Sequence, residues 1–424
     1  MRRIFVALSV AASLHATTLP ELFSALKNHA QTRSDAMQVE KAKIAHEQAT
    51  SELYPKIDLF ASYDNYSTPN GMIPLAPNTL LKLVVDPSKP SQPFSYNIYK
   101  AGAKFTVPIF VKSIYTMAKK AKAMQRSAKA KKHIDLLQNE AVIVASNANW
   151  LYLKELSRSL DLKRRSMLET KKTIQIKVDT GRAPESALYK IDDALNQIDI
   201  AKNNIELQKE QLVSSIESLT GIHLQEPIAM HKRGALHFES MDALKPLEER
   251  VQASRVAYAA EKEKLYPSVF AHGSYAYLRG KAYNTHDNIN EEFGNIGVVV
   301  DIPLLAVDQY KSIEKAKVEY ESDSVELEKT QAELEAKAKM LKGTLPLLDR
   351  SIALAKKNIA NKEKLLQIAK VNYESGRLPT EEYLRYEDEV VSAKAALYQA
   401  QAKKWQSTVE LAVIYGNNIE ELVK

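Results

Sequence analysis

Thr180-Gly181-Arg182-Ala183-Pro184 and Ser375-Gly376-Arg377-Leu378-Pro379 write the same tight turn twice, 195 residues apart. The same offset carries Val107-Pro108-Ile109 onto Ile302-Pro303-Leu304 and Gly221 onto Gly416. One spacing held across so much chain marks a tandem duplication, and a repeat of this kind organises every later assignment. Upstream, Leu53-Tyr54-Pro55 returns as Leu265-Tyr266-Pro267 at an offset of 212, so the first copy carries 17 extra residues between Pro55 and Pro108. They fall within 67–93, where Pro69, Pro74, Pro77, Pro87, Pro90 and Pro93 mark a long loop.

Outward from each turn the chain reads as helix. Residues 109–180 hold neither Gly nor Pro, a stretch of 72 residues that would run on the order of 100 Å as one helix. Gly181 supplies a C-terminal stop and Pro184 a start for the returning helix. From Glu185 the seam Leu188, Ile191, Leu195, Ile198, Lys202, Ile205, Lys209, Leu212, Ile216 and Leu219 alternates spacings of 3 and 4, as in a coiled coil. The second copy keeps the phase with smaller residues, through Tyr383, Tyr386, Val390, Ala393, Leu397, Ala400, Lys404, Ser407, Leu411 and Ile414, which predicts closer helix approach. A soluble bundle core has the same seam. Residues 21–54 and 185–220 are 34 and 36 long, so two half-length helices end to end match one long helix. Gly343 and Pro346 are expected to interrupt and kink the second long helix.

Four strands lie between the helices. Ile57, Leu59, Ala61 and Tyr63 alternate with Asp58, Phe60, Ser62 and Asp64, and Val269, Ala271, Gly273, Tyr275 and Tyr277 repeat the apolar phase. The partner strands set Tyr99, Ala101, Ala103 and Phe105 against Lys100, Gly102, Lys104 and Thr106, and Ile296, Val298 and Val300 against Asn295, Gly297 and Asp301. Period-two segments of about ten residues resemble transmembrane barrel strands, with Tyr66, Tyr96, Tyr266 and Tyr283 as interfacial aromatics. A soluble hairpin packed on the helices fits the same alternation. Four strands cannot close a barrel and open edges are not tolerated in lipid, so a membrane reading requires several chains. Three chains give twelve strands, within the known range. Lys100, Lys104, Thr106 and Asp301 would then face a watery interior.

Composition narrows the class. The chain has no cysteine and only 12 Gly, which excludes disulfides, thiolate metal sites, cysteine nucleophiles and a lipid on an N-terminal Cys. At 45% hydrophobic and 26% charged it is a folded protein, and a formal charge of +7 interspersed with acids argues for no nucleic acid. Arg2 and Arg3 before the apolar run Ile4 to Leu14, with small residues up to Ala16, have the layout of a secretory signal. No phosphate loop or nucleophile elbow is present. His223, His231 and His237 with Glu226 and Asp242 follow no standard zinc spacing, so no enzyme, cofactor or metal is expected.

The duplicated halves, the two hairpins, coiled coils of this length and the turn Tyr373-Glu374-Ser375-Gly376 resemble the TolC-type outer-membrane efflux proteins over essentially the whole mature chain. The resemblance implies an α+β, mostly α fold: a tandem duplicated half, a long coiled-coil α-helical barrel, and a transmembrane β-barrel completed by trimerisation with four strands per chain. It divides the sequence into a signal peptide, 1–16; a periplasmic helix, 17–55; a first transmembrane hairpin with a long external loop, 56–107; and a long helix, tip turn and returning helix, 108–222. The second half follows as connector and helix, 223–266; second hairpin, 267–302; long helix, tip turn and returning helix, 303–416; and C-terminal tail, 417–424. The family implies a homotrimer in the outer-membrane lipid of a Gram-negative bacterium, with a large periplasmic part. It also implies docking onto a periplasmic membrane-fusion adaptor and an inner-membrane transporter of RND or ABC type. Gly181, Arg182, Gly376 and Arg377 fall at the tip where the adaptor would dock.

In some members two acids, six and nine positions after the second-copy Gly, line the closed aperture. Glu382 and Arg385 stand there, so one carboxylate is kept and the other replaced by a cation. The aromatic three before the Gly is present as Tyr373; the basic residue two after it is not, being Leu378, and Ala187 replaces the acid six after the first-copy Gly. Glu382 and Arg385 are expected to pair, locally or across protomers; an exposed helical ion pair without an aperture role has the same residues.

One feature comes from this sequence and not from the resemblance. Residues 118–132 carry Lys119, Lys120, Lys122, Arg126, Lys129, Lys131 and Lys132 with no acid, while 313–327 carry Glu314, Glu319, Glu321, Asp323 and Glu326 against Lys315 and Lys317. The two windows are expected to lie near each other and to fix which half neighbours which; solvated faces or a membrane-surface contact are the alternatives. Functionally the sequence gives a passive conduit, against an exported coiled-coil structural or adhesin-like protein without a pore.

Overall fold

A computed structural model describes residues 17–85 and 91–424; the expected leader, 1–16, lies outside them. Two helices, α1 (Leu19–Asn28) and α2 (Ala30–Ser51), lead to strand β1 (Lys56–Gly71). A short helix α3 (Pro77–Val85), strand β2 (Phe94–Phe110) and the helices α4 (Lys112–Asp179) and α5 (Ser186–Thr220) complete the first copy. The second follows as α6 (Lys245–Glu263), β3 (Ser268–Lys281), β4 (Asn288–Asp301), α7 (Val307–Glu374), α8 (Thr380–Tyr415) and α9 (Ile419–Leu422). The duplication is visible in the lengths: α4 and α7 each span 68 residues, α5 35 and α8 36.

Glycine marks the joints. Gly181, Gly221, Gly376 and Gly416 have φ of 72°, 71°, 72° and 68°, the left-handed region that a Cβ penalises. At both tips the helix closes with the same pair of backbone bonds. Arg182 N–H donates to Lys177 O at 2.7 Å and Gly181 N–H to Val178 O at 2.9 Å; Arg377 N–H donates to Asn372 O at 2.8 Å and Gly376 N–H to Tyr373 O at 3.0 Å. This is the Schellman arrangement, which satisfies the last free carbonyls of a helix.

Residues 17–39, 129–246 and 328–424 form one compact unit. Its coil buries Ile191, Leu195, Ile198 and Ile205 of α5 against Leu153, Leu160, Met167 and Ile174 of α4, with Leu411 and Ile414 of α8 meeting Ala338 and Leu341 of α7. Each such aliphatic side chain contributes roughly 1.5–3 kcal/mol. A further core sets Leu19, Leu22, Phe23 and Leu26 of α1 against Ile143, Val144 and Trp150 of α4, Ile419 and Leu422 of α9, and Leu224 of the connector. Asn147, fully buried, exchanges two hydrogen bonds with the Ile228 backbone, and Asn417 does the same with His237.

Residues 40–85, 91–128 and 247–327 form the other unit, built on an antiparallel sheet in the order β1-β2-β3-β4. The register pairs Leu59 with Ala103, Tyr63 with Tyr99, Ala101 with Tyr277, and Val269 with Val300. Because paired residues share a face, all four apolar phases stand on one side of the sheet.

Two expectations are corrected. Gly343 and Pro346 do not interrupt α7, which runs through both. A helical proline costs about 3 kcal/mol, and the buried stripe Ala338, Leu341 and Leu348 around it offsets that cost. The helix expected over 21–54 is two helices, parted at His29, whose ψ of 162° is extended. The apolar face of α1 turns into its core while α2 buries only Thr32, so one straight rod cannot serve both. Both charged windows reach α6 within the chain: Arg126 pairs with Glu249 at 2.8 Å, and Asp323 pairs with Arg250 at 2.8 Å.

Candidate functional site

The tip turns come first. Gly181, Arg182, Gly376 and Arg377 are exposed, and a Cβ built on either glycine would meet nothing within 4 Å. The two turns therefore present glycine backbone and one arginine each to whatever approaches.

Behind the second turn the three aperture candidates separate. Glu382 and Arg385 pair locally at 3.2 Å, and Arg385 also lies 4.0 Å from Glu389. The hydrogen bond from Lys362 holds the Glu389 carboxyl below its ordinary range. Tyr373 turns inward and stacks on Tyr383, ring centroids 4.8 Å apart and 14° from parallel, with the Lys177 ammonium 5.6 Å from its ring. Its hydroxyl is buried without a partner.

Tyr383 connects this stack to residues the sequence did not single out. Its hydroxyl lies 3.1 Å from Ser166 Oγ of α4 and donates to Glu387 Oε1 at 3.0 Å. Glu387 is buried, and its second oxygen has no partner. Burial raises its pKa, opposed by Ser166, Tyr383 and the Lys163 charge, and burial likewise pushes Tyr383 up to about 12. Lys163 reaches Asp388, and Lys190 of α5 reaches Glu381. These contacts tie α8 to α4 and α5, above a cleft of about 700 Å³ bordered by Lys163, Lys364, Lys370 and Lys394. The signal was a tyrosine in the seam where the first copy has Leu188.

On the sheet, Lys100, Lys104, Thr106 and Asp301 share the face opposite the apolar phase. The same face carries Asp64, 3.6 Å from Lys100, and Asp58, 4.0 Å from Lys104, along with His272, Ser274 and Asn295. The apolar face is exposed: Leu59 is 85% accessible, Ile296 82%, Ile57 71% and Val298 63%. Tyr96, Tyr266 and Tyr283 are exposed, whereas Tyr66 packs against the cluster of Met72, Ile98 and Leu278 on the polar-phase side. No helix among the described residues is long and apolar enough to cross a membrane.

The family model described as Outer membrane efflux protein matches residues 239–417, within the second copy. Over that span the chain is similar to the outer membrane efflux proteins. The chain has the fold of the outer membrane channel CmeC of Campylobacter jejuni, at a TM-score of 0.78 and 16% identity over 94% of this chain and 85% of that one. It is similar to the outer membrane protein VceC of Vibrio cholerae at 0.76 and 14%, over 94% and 96%, and to the outer membrane channel MtrE of Neisseria gonorrhoeae at 0.72 and 14%, over 94% and 88%. No curated protein sequence matches this chain significantly. Among its described residues no group of His, Asp and Glu could hold a metal ion.

Proposed function

We propose that three copies of this chain form an efflux conduit through the outer membrane, with the apolar sheet face against lipid and the Lys100, Lys104, Thr106 and Asp301 face around the pore. The observation that carries the reading is the sheet: one face of exposed Leu, Ile, Val and Tyr, and outer edges on β1 and β4 that no described strand pairs. Water would not favour that face and lipid would not tolerate those edges, so copies must join edge to edge. Three chains close twelve strands.

The helices supply matching surfaces. Val318 and Val325, then Met340, Leu347 and Leu354, recur every seven residues as exposed side chains along α7, and Ile200 and Leu207 do so along α5. Such stripes are seams awaiting a neighbour. Energy comes from elsewhere, through a periplasmic adaptor and an inner-membrane transporter that engage the tip turns at Gly181, Arg182, Gly376 and Arg377. Tyr373, Glu382 and Arg385 would lie beside the aperture, with Tyr383, Ser166 and Glu387 holding α8 against α4 when it is closed.

Fractionation with native mass measurement tests this. The purified full-length protein should come from the outer membrane with the mass of three chains; a water-soluble monomer would overturn the reading.

A further inference from the structure

The polar-phase face of the sheet changes character toward its loop end. Beyond Lys100 it carries Ile98, fully buried, with Leu278, Ile289 and Phe293 beside it. What buries them is the start of the long first loop: Met72, 4% exposed, and Ile73 fold over this side of the sheet, and the Met72 N–H donates to Pro93 O at 2.9 Å. The far end of the loop is tied to the turn of the second hairpin. Ser91 Oγ lies 2.9 Å from Thr285 Oγ1 and donates to Asp287 Oδ2 at 2.8 Å, and Gln92 N–H donates to Asn284 Oδ1 at 3.2 Å. Phe94 meets Tyr283 edge to face at 6.3 Å. The loop is thus held at both ends, and the helix α3 between them keeps Leu80 and Leu81 exposed.

We propose that Met72 and Ile73, folded over the inward face, form an apolar collar across the outer mouth of the conduit, with Ser91 and Gln92 strapping the other end of the loop to the turn at 284–287. The proposal rests on the inward assignment of the Lys100 and Lys104 face made above. A lipid-facing loop would have packed on Tyr63, Tyr99 and Tyr277, the members of the apolar phase nearest the loop end; this one packs on the opposite side, where apolar cover has no use except against other chain. Three copies would bring three collars around one axis. The collar narrows the mouth for bulky polar solutes while small ones pass, and its few hydrogen bonds to exposed turn residues are of the kind that open locally.

The absence of native cysteine makes the test direct. Lys104→Cys, deeper on the same face than the collar, is labelled on intact cells with a small cationic methanethiosulfonate or with a maleimide bearing a long polyethylene glycol chain. With the native loop the bulky reagent should react roughly tenfold or more slowly than the small one. Met72→Ser with Ile73→Ser, which removes the apolar contacts, should restore the bulky rate, and so should Asn284→Ala with Asp287→Ala, which cuts the strap. Equal rates with the native loop, or a bulky rate that neither pair of substitutions raises, would overturn the collar and leave the inward face standing. If neither reagent reaches Lys104→Cys while both reach Ile296→Cys, the inward assignment itself fails, and the collar with it.

Discussion

At the tip of the first copy the seam begins with Leu188, and one turn on Asp192 pairs with Lys171 where both are accessible to solvent. At the tip of the second the equivalent positions are Tyr383 and Glu387, buried, hydrogen-bonded to each other and stacked against Tyr373. Higher up, Glu140 of α4 is 3% exposed with an unpartnered oxygen, while its duplicate Glu335 of α7 stands in solvent and accepts a bond from Gln331 at 2.8 Å. The backbone of the repeat is thus preserved and its buried polar groups are not. Duplication fixes where helices start and stop, because glycine and proline act locally. Which carboxylate is dry depends on what packs over it, and the two copies have different neighbours.

The largest expected effect exchanges a seam residue between copies. Ile198→Ala should destabilise the protein by about 2–5 kcal/mol through lost transfer energy and a cavity. Its duplicate position already holds Ala393, buried, and Ala393→Ile should cost about 1–3 kcal/mol by overpacking. Denaturation midpoints of the two variants measure the difference in helix spacing; equal tolerance of isoleucine at both sites would erase it.

Glu140 against Glu335 comes next. Burial first, then the Glu420 charge, raises the Glu140 pKa to about 7, with Lys27 opposing. Between the ordinary carboxyl range and pH 7 the folded protein holds a proton that the unfolded chain has released. Stability from this group therefore falls as pH rises through that window and is level above it, a change on the order of 3 kcal/mol. Glu140→Gln should flatten the pH dependence of the melting temperature; Glu335→Gln should leave it unchanged. A profile unaltered by both would show Glu140 to be solvated.

Smaller again is the tip. Tyr383→Phe removes the donor to a buried carboxylate and should cost about 1–3 kcal/mol, with raised ion leak as the coil loosens. In the first copy Asp192→Asn breaks an exposed pair and should stay within about 1 kcal/mol. Chemical denaturation of the two proteins ranks them, and a larger loss at Asp192 would reverse the account of which tip is latched.

The turns at Gly181 and Gly376, the seams and the strand phases were legible because each is a short-range rule: a positive φ, a spacing of 3 and 4, an alternation of two. His29 was not, since nothing local stops a helix there; α1 bends away to bury Leu22 and Phe23 under α4. Pro346 read as a break because its propensity penalty is visible and the packing that outweighs it is not. Tyr383 stood in the seam as an aromatic, but Ser166, 217 residues earlier, could be joined to it only by the fold. The lumen candidates shared a phase from the start. The apolar cluster beyond them, at Met72 and Ile98, was hidden, because loop residues carry no periodicity.

The central claim is that this chain makes a pore whose second-copy tip holds it shut. Single-channel recording of the purified full-length protein in planar lipid bilayers tests it most directly, comparing the native sequence with Tyr383→Phe. The account predicts discrete current steps for both, larger for Tyr383→Phe. Bilayers that stay electrically silent with both proteins, each present as an inserted trimer, would contradict it.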